Sequence, residues 1–233
     1  MTNHFGPAFA PSMGFAGPNS YPDTAELLER FKATKLKVAV HKDGSVLTDI
    51  SKTILADTYG IIVPPRAEKD KKLLGISEDG EVGFVFARNK SICHLISSGA
   101  VDLAVIGTDR LIEDGAEDRV DIIASFRDRY SWPLVVATPF NSDVRTVNDI
   151  NRVATQYPTI AQRYFETLGR NDIEVVETAG GTELYPYLAY GSGPIDAIVD
   201  LTSTGQTLAL HNLVPWLPSI GDVYPVLIQA KQL

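Results

Sequence analysis

The sequence is poor in the residues that build disulfides and metal sites. Its 233 residues include a single cysteine, Cys93, and four histidines that stand far apart at positions 4, 41, 94 and 211. A lone cysteine excludes an intramolecular disulfide framework and a metal site made only of cysteines. With Ile92 and Leu95 beside it on a predicted helix, Cys93 is interpreted as a small buried apolar residue rather than a catalytic thiol.

Long apolar runs and a signal peptide are also missing. Runs such as residues 134–137 fall far short of the ~20 apolar residues that a transmembrane helix needs. Residues 1–22 have neither the basic start nor the continuous apolar centre of a signal peptide. We therefore expect a cytoplasmic protein with no membrane partner.

Positive charge is in deficit, with 21 Lys and Arg against 29 Asp and Glu and a formal net charge of −8. Nucleic-acid binders usually carry a positive surface, so this balance argues against a nucleic-acid partner. It leaves room for one phosphorylated small molecule in a locally basic cleft. The hydrophobic share of 44% is that of an ordinary globular protein, and the length suits one large domain or two small lobes.

Short apolar runs alternate with helical patterns along most of the chain. This alternation is typical of an α/β fold whose parallel sheets are covered on both faces. Strands are predicted at 36–40, 83–87, 102–107, 134–138, 151–155, 173–177, 196–201 and 223–230, and helices at about 24–33, 45–57, 90–98, 160–168, 181–190 and from 205.

The chain divides into an arm and two lobes in this interpretation. Residues 1–22 are rich in Gly, Pro, Asn and Ser, which predicts a flexible arm. If the final strand returns to the first group of strands, residues 23–133 plus 217–233 form lobe I and residues 134–216 form lobe II. Two crossings would then join the lobes and leave a cleft, a common place for ligands.

The strongest local signal follows the predicted strand at 196–201. There, Asp200 is followed by the run TSTGQT at 202–207 and then a predicted helix. Small hydroxyl residues and a glycine at such a turn suit phosphate, because backbone N–H groups and the helix dipole point at the anion. Asp200, at the carboxyl end of its strand, could hold ribose hydroxyls or Mg²⁺. A plain helix cap formed by Ser203 or Thr204 fits the residues equally well.

The same segment carries a family resemblance. DAIVDLTSTGQTLALHNL (196–213) resembles the phosphoribosyl-pyrophosphate loop of ATP phosphoribosyltransferases. The segments FARNKSICHLISSGAVDLAVIGTDRLIEDGA (86–116), ATQYPTIAQRYF (154–165) and IEVVETAGGTELYP (173–186) resemble further parts of that family at matching spacing. LKVAVHKDGSVL (36–47) resembles the family's opening strand and the KGR loop after it only poorly. Where the family has KGR, this sequence has Lys42-Asp43-Gly44-Ser45.

The resemblance implies a fold and an activity. The fold would have two lobes with mixed, mainly parallel sheets, similar to type II periplasmic binding proteins. The activity would be transfer of the phosphoribosyl group of phosphoribosyl pyrophosphate to N1 of ATP, with Mg²⁺ assisting, as the first step of histidine biosynthesis. The chain ends near the last core strand, as in the short form, which usually works with a regulatory subunit resembling histidyl-tRNA synthetase.

The resemblance also assigns roles to individual residues. Asp200 would face the ribose or a metal ion, Lys42 and Arg88 the polyphosphates, and Glu183 the sugar or base. Lys72 could also face the polyphosphates, although its basic run at 66–72 is more often a solvated loop. The 5′-phosphate would be held by the turn residues Ser203, Thr204, Gly205, Gln206 and Thr207.

Two alternatives stay open, and several polar residues receive structural interpretations. The altered loop at 42–45 leaves room for a non-catalytic two-lobed binding protein or a regulatory relative of the enzyme. Both His41 and His94 are interpreted as structural or partly exposed. An acidic cluster without an EF-hand pattern is interpreted as surface charge; it comprises Asp109, Asp114, Glu117, Asp118 and Asp121.

Overall fold

The computed structural model describes residues 22–42, 46–65, 73–188, 191, 193–216 and 218–231. Residues 1–21 of the predicted arm lie outside this part of the chain, and so does the basic run at 66–72 with Lys72. Six α-helices accompany the strands within the described ranges. Their bounds are α1 Pro22–Lys32, α2 Val46–Tyr59, α3 Asn89–Ser97, α4 Thr108–Glu113, α5 Pro158–Thr167 and α6 Gln206–Leu210.

The first sheet, sheet A, is built around a parallel core. Its strands are β1 Leu36–His41, β2 Leu74–Ile76, β3 Val82–Ala87, β4 Leu103–Gly107, β5 Val120–Ser125 and β12 Pro225–Ala230. Their spatial order is β2-β3-β1-β4-β12-β5. β1 pairs in parallel with β3 and β4, whereas β2, β12 and β5 pair antiparallel with their neighbours.

The second sheet, sheet B, repeats this plan. Its strands are β6 Trp132–Pro139, β7 Arg152–Thr155, β8 Glu174–Glu177, β9 Ala197–Leu201, β10 Leu213–Pro215 and β11 Gly221–Val223. The order is β10-β6-β9-β7-β8, and β11 pairs with another part of β6. The parallel part is β9-β7-β8, and β6 runs antiparallel to β9, β10 and β11.

Each sheet is covered on both faces, as the apolar strand sequences predict. One face of sheet A packs Phe84 and Leu227 against Ile54 of α2, all fully buried, and the other packs Ile92 of α3 against Ile228. Two further clusters cover the faces of sheet B. The molecule therefore has a separate set of cores around each sheet.

The chain crosses between the sheets twice in the described structure. It leaves sheet A after β5 and enters sheet B at β6, and it returns between β11 and β12. The return of β12 to sheet A is the arrangement that a two-lobed chain needs. β11 belongs to the segment assigned to lobe I, yet it pairs with β6 of sheet B, so the bounds of the two lobes stay a prediction.

Two predicted helices differ in the structure. Where a helix is predicted at 181–190, the chain forms a 3₁₀ helix at Thr182–Tyr187 with Pro186 inside it. Proline has no N–H to donate and disfavours a continued α-helix. The helix predicted from 205 has only five residues, because His211 and Asn212 turn the chain into β10, with a φ of 54° at Asn212.

Candidate active site

A cavity of about 570 Å³ lies between the two sheets. His41, Ala87 and Gly107, the last residues of β1, β3 and β4, form one side of it. Ligands of α/β proteins commonly bind outside the carboxyl ends of the strands, and this volume suits a small molecule. The remaining lining residues are Val46, Leu47, Asn89, Asp109, Trp132, Tyr157, Leu201, Ser203 and Val223.

The two predicted cations, Lys42 and Arg88, lie beside each other at the edge of this cavity. β1 and β3 run in parallel with His41 opposite Ala87, so the residues that follow the two strands emerge together. The Lys42 backbone N–H donates to the Ala87 carbonyl at 3.0 Å and fixes this arrangement. Both side chains are exposed, and their neighbours His41, Ala87 and Asn89 line the cavity.

Asp109 faces the cavity and is not part of a solvated acidic surface. Asp109 is only 8% exposed. Its carboxylate lies against Gly107, so close that a side chain on Gly107 would overlap Oδ1. Burial raises the pKa of the Asp109 carboxyl above its usual value. The surface interpretation is therefore wrong for this residue. Its position two residues after the buried strand β4 was the available signal.

Asp200 and Glu183, two predicted site residues, lie on neighbouring elements, because the 3₁₀ helix that carries Glu183 packs against β9. Asp200 is half-buried on β9, and its Oδ1 accepts a hydrogen bond from the Leu201 N–H at 2.8 Å. Burial raises the pKa of Asp200 to about 6, and the negative charge of Glu183 adds to the effect. A cation bound beside this carboxyl would stabilise its ionised form, because the cation's charge offsets the cost of burial and the repulsion by Glu183.

Tyr157 has no role assigned from the sequence, although it belongs to the ATQYP run (154–158) that resembles the family. It immediately precedes Pro158 at the start of α5 and lines the cavity from the side of sheet B. Burial raises the pKa of its phenol, and the charges of Asp109 and Asp200 raise it further. The phenol therefore stays protonated and can donate a hydrogen bond. The resemblance of residues 154–165 to the family was the available signal.

The predicted phosphate turn has a defined local structure. The Thr202 hydroxyl accepts from the Gly205 N–H at 2.8 Å, and the Thr204 hydroxyl accepts from the Gln206 N–H at 3.3 Å. Gly205 has a φ of 71°, which favours glycine because it lacks a Cβ. The N-cap position of α6 is Gly205, which has no side-chain capping hydrogen bond, so the contact of Thr204 comes from the residue before the cap. A hydroxyl that accepts in this way can still donate its own proton to a phosphate. Ser203 reaches the cavity, whereas Gln206 and Thr207 are exposed.

The described residues contain no group of three or more His, Cys, Asp or Glu that could hold a metal ion. Mg²⁺ often binds through one or two carboxylates together with substrate phosphates, and it keeps several waters. Asp200 fits that mode, because it is half-buried with a raised pKa and Glu183 nearby. None of the helices in the described ranges has the length and apolar character that crossing a bilayer requires.

Residues 88–233 match the model of the HisG family, ATP phosphoribosyltransferase. The chain belongs to this family. The match begins at Arg88, so the divergent 42–45 loop lies upstream of it. An ATP phosphoribosyltransferase of Methanocaldococcus jannaschii is 36% identical over 148 residues, which cover 62% of this chain and 49% of that protein. The chain thus spans about half the length of the curated relatives it matches.

Solved structures confirm the predicted fold class. The ATP phosphoribosyl transferase (HisG:HisZ) complex from Thermotoga maritima matches with a TM-score of 0.64 and 25% identity, over 84% of this chain and 87% of the matched chain. A substrate-binding protein of an amino-acid ABC transporter matches with a TM-score of 0.50 and 14% identity, over 84% and 85% of the two chains. The second likeness concerns the fold alone.

Proposed function

We propose that the protein transfers the phosphoribosyl group of phosphoribosyl pyrophosphate to N1 of ATP and releases pyrophosphate, the first step of histidine biosynthesis. The observation that carries this proposal is the cavity between the two sheets, which is lined on one side by the last residues of β1, β3 and β4 and on the other by Leu201 and Ser203 at the end of β9. Lys42 and Arg88 directly follow β1 and β3, and Asp200 lies in β9. Membership of the ATP phosphoribosyltransferase family supports it.

In the proposed reaction N1 of ATP attacks C1′ of the ribose. The C1′–N1 bond forms as the C1′–oxygen bond breaks, and the electron pair leaves with the pyrophosphate. No protein nucleophile is needed, so holding the two substrates in line supplies much of the rate enhancement. Lys42 and Arg88 would stabilise the charge that develops on the leaving pyrophosphate. A magnesium ion bound with the polyphosphate would neutralise further charge.

The acceptor base is proposed to lie in the apolar part of the cleft. Trp132 and Tyr157 line it with aromatic rings, and Leu201 and Val223 add aliphatic surface. An adenine ring suits such a lining, since aromatic and apolar side chains bury its faces. Asp200 and Glu183 would then meet the ribose of the donor, and the turn from Ser203 to Thr207 its 5′-phosphate.

A regulatory partner is part of the proposal. The Thermotoga maritima neighbour was solved as a HisG:HisZ complex, which supports a hetero-oligomer with a HisZ-like subunit resembling histidyl-tRNA synthetase. A cytoplasmic location and the absence of a nucleic-acid partner stay predictions from the sequence.

The test is formation of phosphoribosyl-ATP from ATP and phosphoribosyl pyrophosphate with Mg²⁺, with and without the regulatory subunit. Lys42→Gln and Arg88→Gln are each expected to lower kcat/KM by about 10–100-fold, the effect of removing one charge-stabilising group at a reacting centre. Lys35→Gln is the matched control. Lys35 is exposed and directly precedes the first residue of β1, at the end of the strand away from Lys42. Among the ion pairs of the described residues it pairs only with Glu81.

Three outcomes of this assay would change the proposal. No product from a folded wild-type protein in either arm would contradict the proposal. Tight binding of both substrates without product would favour a non-catalytic relative. Equal losses in Lys42→Gln and the Lys35→Gln control would remove Lys42 from the pyrophosphate site.

A further inference from the structure

Two helices from opposite sides of the cleft are joined by one carboxylate. α4 follows β4 of sheet A, and α5 follows β7 of sheet B. Glu113, the last residue of α4, accepts from the Thr159 N–H at 3.0 Å through Oε2 and from the Ile160 N–H at 2.8 Å through Oε1. The Glu113 carboxylate therefore connects the helix on the side of sheet A to the helix on the side of sheet B.

This contact supplies the capping that α5 lacks locally. The residue before the helix, Tyr157, has no side-chain capping hydrogen bond, and Pro158 opens the first turn. The first N–H groups of a helix have no partner within the helix, and a carboxylate there also interacts favourably with the helix dipole. Glu113 meets both needs from a distance of 46 and 47 residues along the chain.

Ion pairs between exposed or partly exposed side chains also join the two sides. Arg127, after β5, and Asp222 of β11 are 2.7 Å apart, and Glu117 and Arg163 are 3.2 Å apart. Lys90 and Glu177 are 3.9 Å apart and more exposed still. Exposed pairs of this kind contribute about 0–1 kcal/mol. Unlike these pairs, Glu113 binds backbone N–H groups with both of its carboxylate oxygens.

The Glu113 contact lies directly behind the cleft. Asp109 is one helical turn before Glu113 on α4, and Tyr157 is two residues before Thr159. Both Asp109 and Tyr157 line the cavity, from opposite sides. Whatever holds the start of α5 against the end of α4 therefore also sets the separation between these two side chains.

We infer that Glu113 is a positioning residue, which holds the Tyr157 wall of the cleft at its working distance from the Asp109 wall. Its effect on the reaction rests on the proposed function. Without Glu113, arrangements with a wider cleft gain population, and a ligand that needs both walls then binds with lower apparent affinity. Glu113 itself lies outside the set of residues that line the cavity.

The structural half of the inference is tested without substrate. Hydrogen exchange at the Thr159 and Ile160 amides is expected to speed up about tenfold or more in Glu113→Ala, since both amides lose their acceptor. Glu113→Gln keeps one acceptor oxygen, so its exchange rates are expected to lie between those of the wild type and Glu113→Ala. Glu117→Ala is the matched control and should leave both amides as in the wild type. Exchange unchanged in Glu113→Ala would overturn the inference.

The functional half uses ligand binding and kinetics. In a Trp216→Phe background, Trp132 fluorescence reports ATP binding in the cleft, and Glu113→Ala should raise the apparent Kd and the KM for ATP about tenfold with little change in kcat. Glu113→Gln should restore part of the loss. Equal KM values in Glu113→Ala and Glu117→Ala would overturn the positioning role. Wild-type protein without product would instead contradict the proposed function, while the exchange result would stand.

Discussion

At the scale of single residues, Asp200 combines a proposed role at the site with a cost to stability. Burial and the nearby Glu183 carboxylate raise its pKa to about 6 in the folded protein, against an ordinary value of 3.8. The ionised form is thus disfavoured in the folded state. As the pH rises from about 4 through 6, the unfolded chain loses this proton first, so the free energy of unfolding falls over that window.

Asp200→Asn is therefore expected to stabilise the fold at pH 8. The gain should be about 1–2 kcal/mol, because the amide carries no buried charge and its oxygen can still accept from the Leu201 N–H. At pH 4 the gain should largely vanish, since the folded wild-type carboxyl is then protonated. Urea unfolding at the two pH values measures it, and a gain equal at both would show that the charge of Asp200 is not the cause.

The sequence predicts Asp200 as a site residue but does not show that Asp109 faces the cavity. Asp200 was recognised because it ends a buried strand beside a run of hydroxyl residues. Asp109 was placed with its acidic neighbours, because charge counted along the chain does not show which carboxylate turns inward. Its direction depends on α4 beginning directly after Gly107, and that short helix has no periodic pattern of its own.

At the scale of elements, the long strands were predictable and the short ones were not. Each predicted strand overlaps a strand of the structure, because buried parallel strands are continuous apolar runs. The missed strands β2, β10 and β11 have three residues each, too few to show alternation. β5 was missed as well, and these additions make the antiparallel pairing more extensive than the strand–helix alternation predicted. Pro186 likewise changed a predicted helix into a 3₁₀ helix.

The turn between β9 and α6 allows a prediction that separates a structural hydrogen bond from phosphate binding. Thr204→Ala removes the acceptor of the Gln206 N–H, which should lower the free energy of unfolding by about 0.5–1.5 kcal/mol, the usual net contribution of one hydrogen bond. If the turn also binds the 5′-phosphate, the Kd for phosphoribosyl pyrophosphate should rise about tenfold or more, as expected when an anion loses a hydrogen-bond donor. Calorimetric titration measures the Kd, and an unchanged value with lowered stability would leave Thr204 with a structural role alone.

At the scale of the whole molecule, β12 holds sheet A together. It lies between β4 and β5, and β5 has no other partner strand in the described sheet. Leu227, at its centre, is fully buried against the α2 side of the sheet. Leu227→Ala is expected to lower the free energy of unfolding by about 2–5 kcal/mol.

The loss in Leu227→Ala should be concentrated in one part of the molecule. Hydrogen exchange is expected to quicken in β4, β5 and β12 more than in β7 and β9, because the two sheets have separate cores. Leu134→Ala, a fully buried leucine of β6, is the matched change in sheet B. A uniform rise in exchange in both variants would show that the sheets unfold as one unit.

The position of β12 in the chain also has a consequence during synthesis. Residues 126–224 separate it from β5 and contain every strand of sheet B. Translation at ~5–20 residues per second takes about 5–20 s to cross that stretch. Throughout this interval β4 and β5 have emerged without the strand that joins them, and sheet B can assemble first. The nascent chain thus carries an unfinished apolar sheet while its later half folds, and unpaired strand edges of this kind are prone to aggregation.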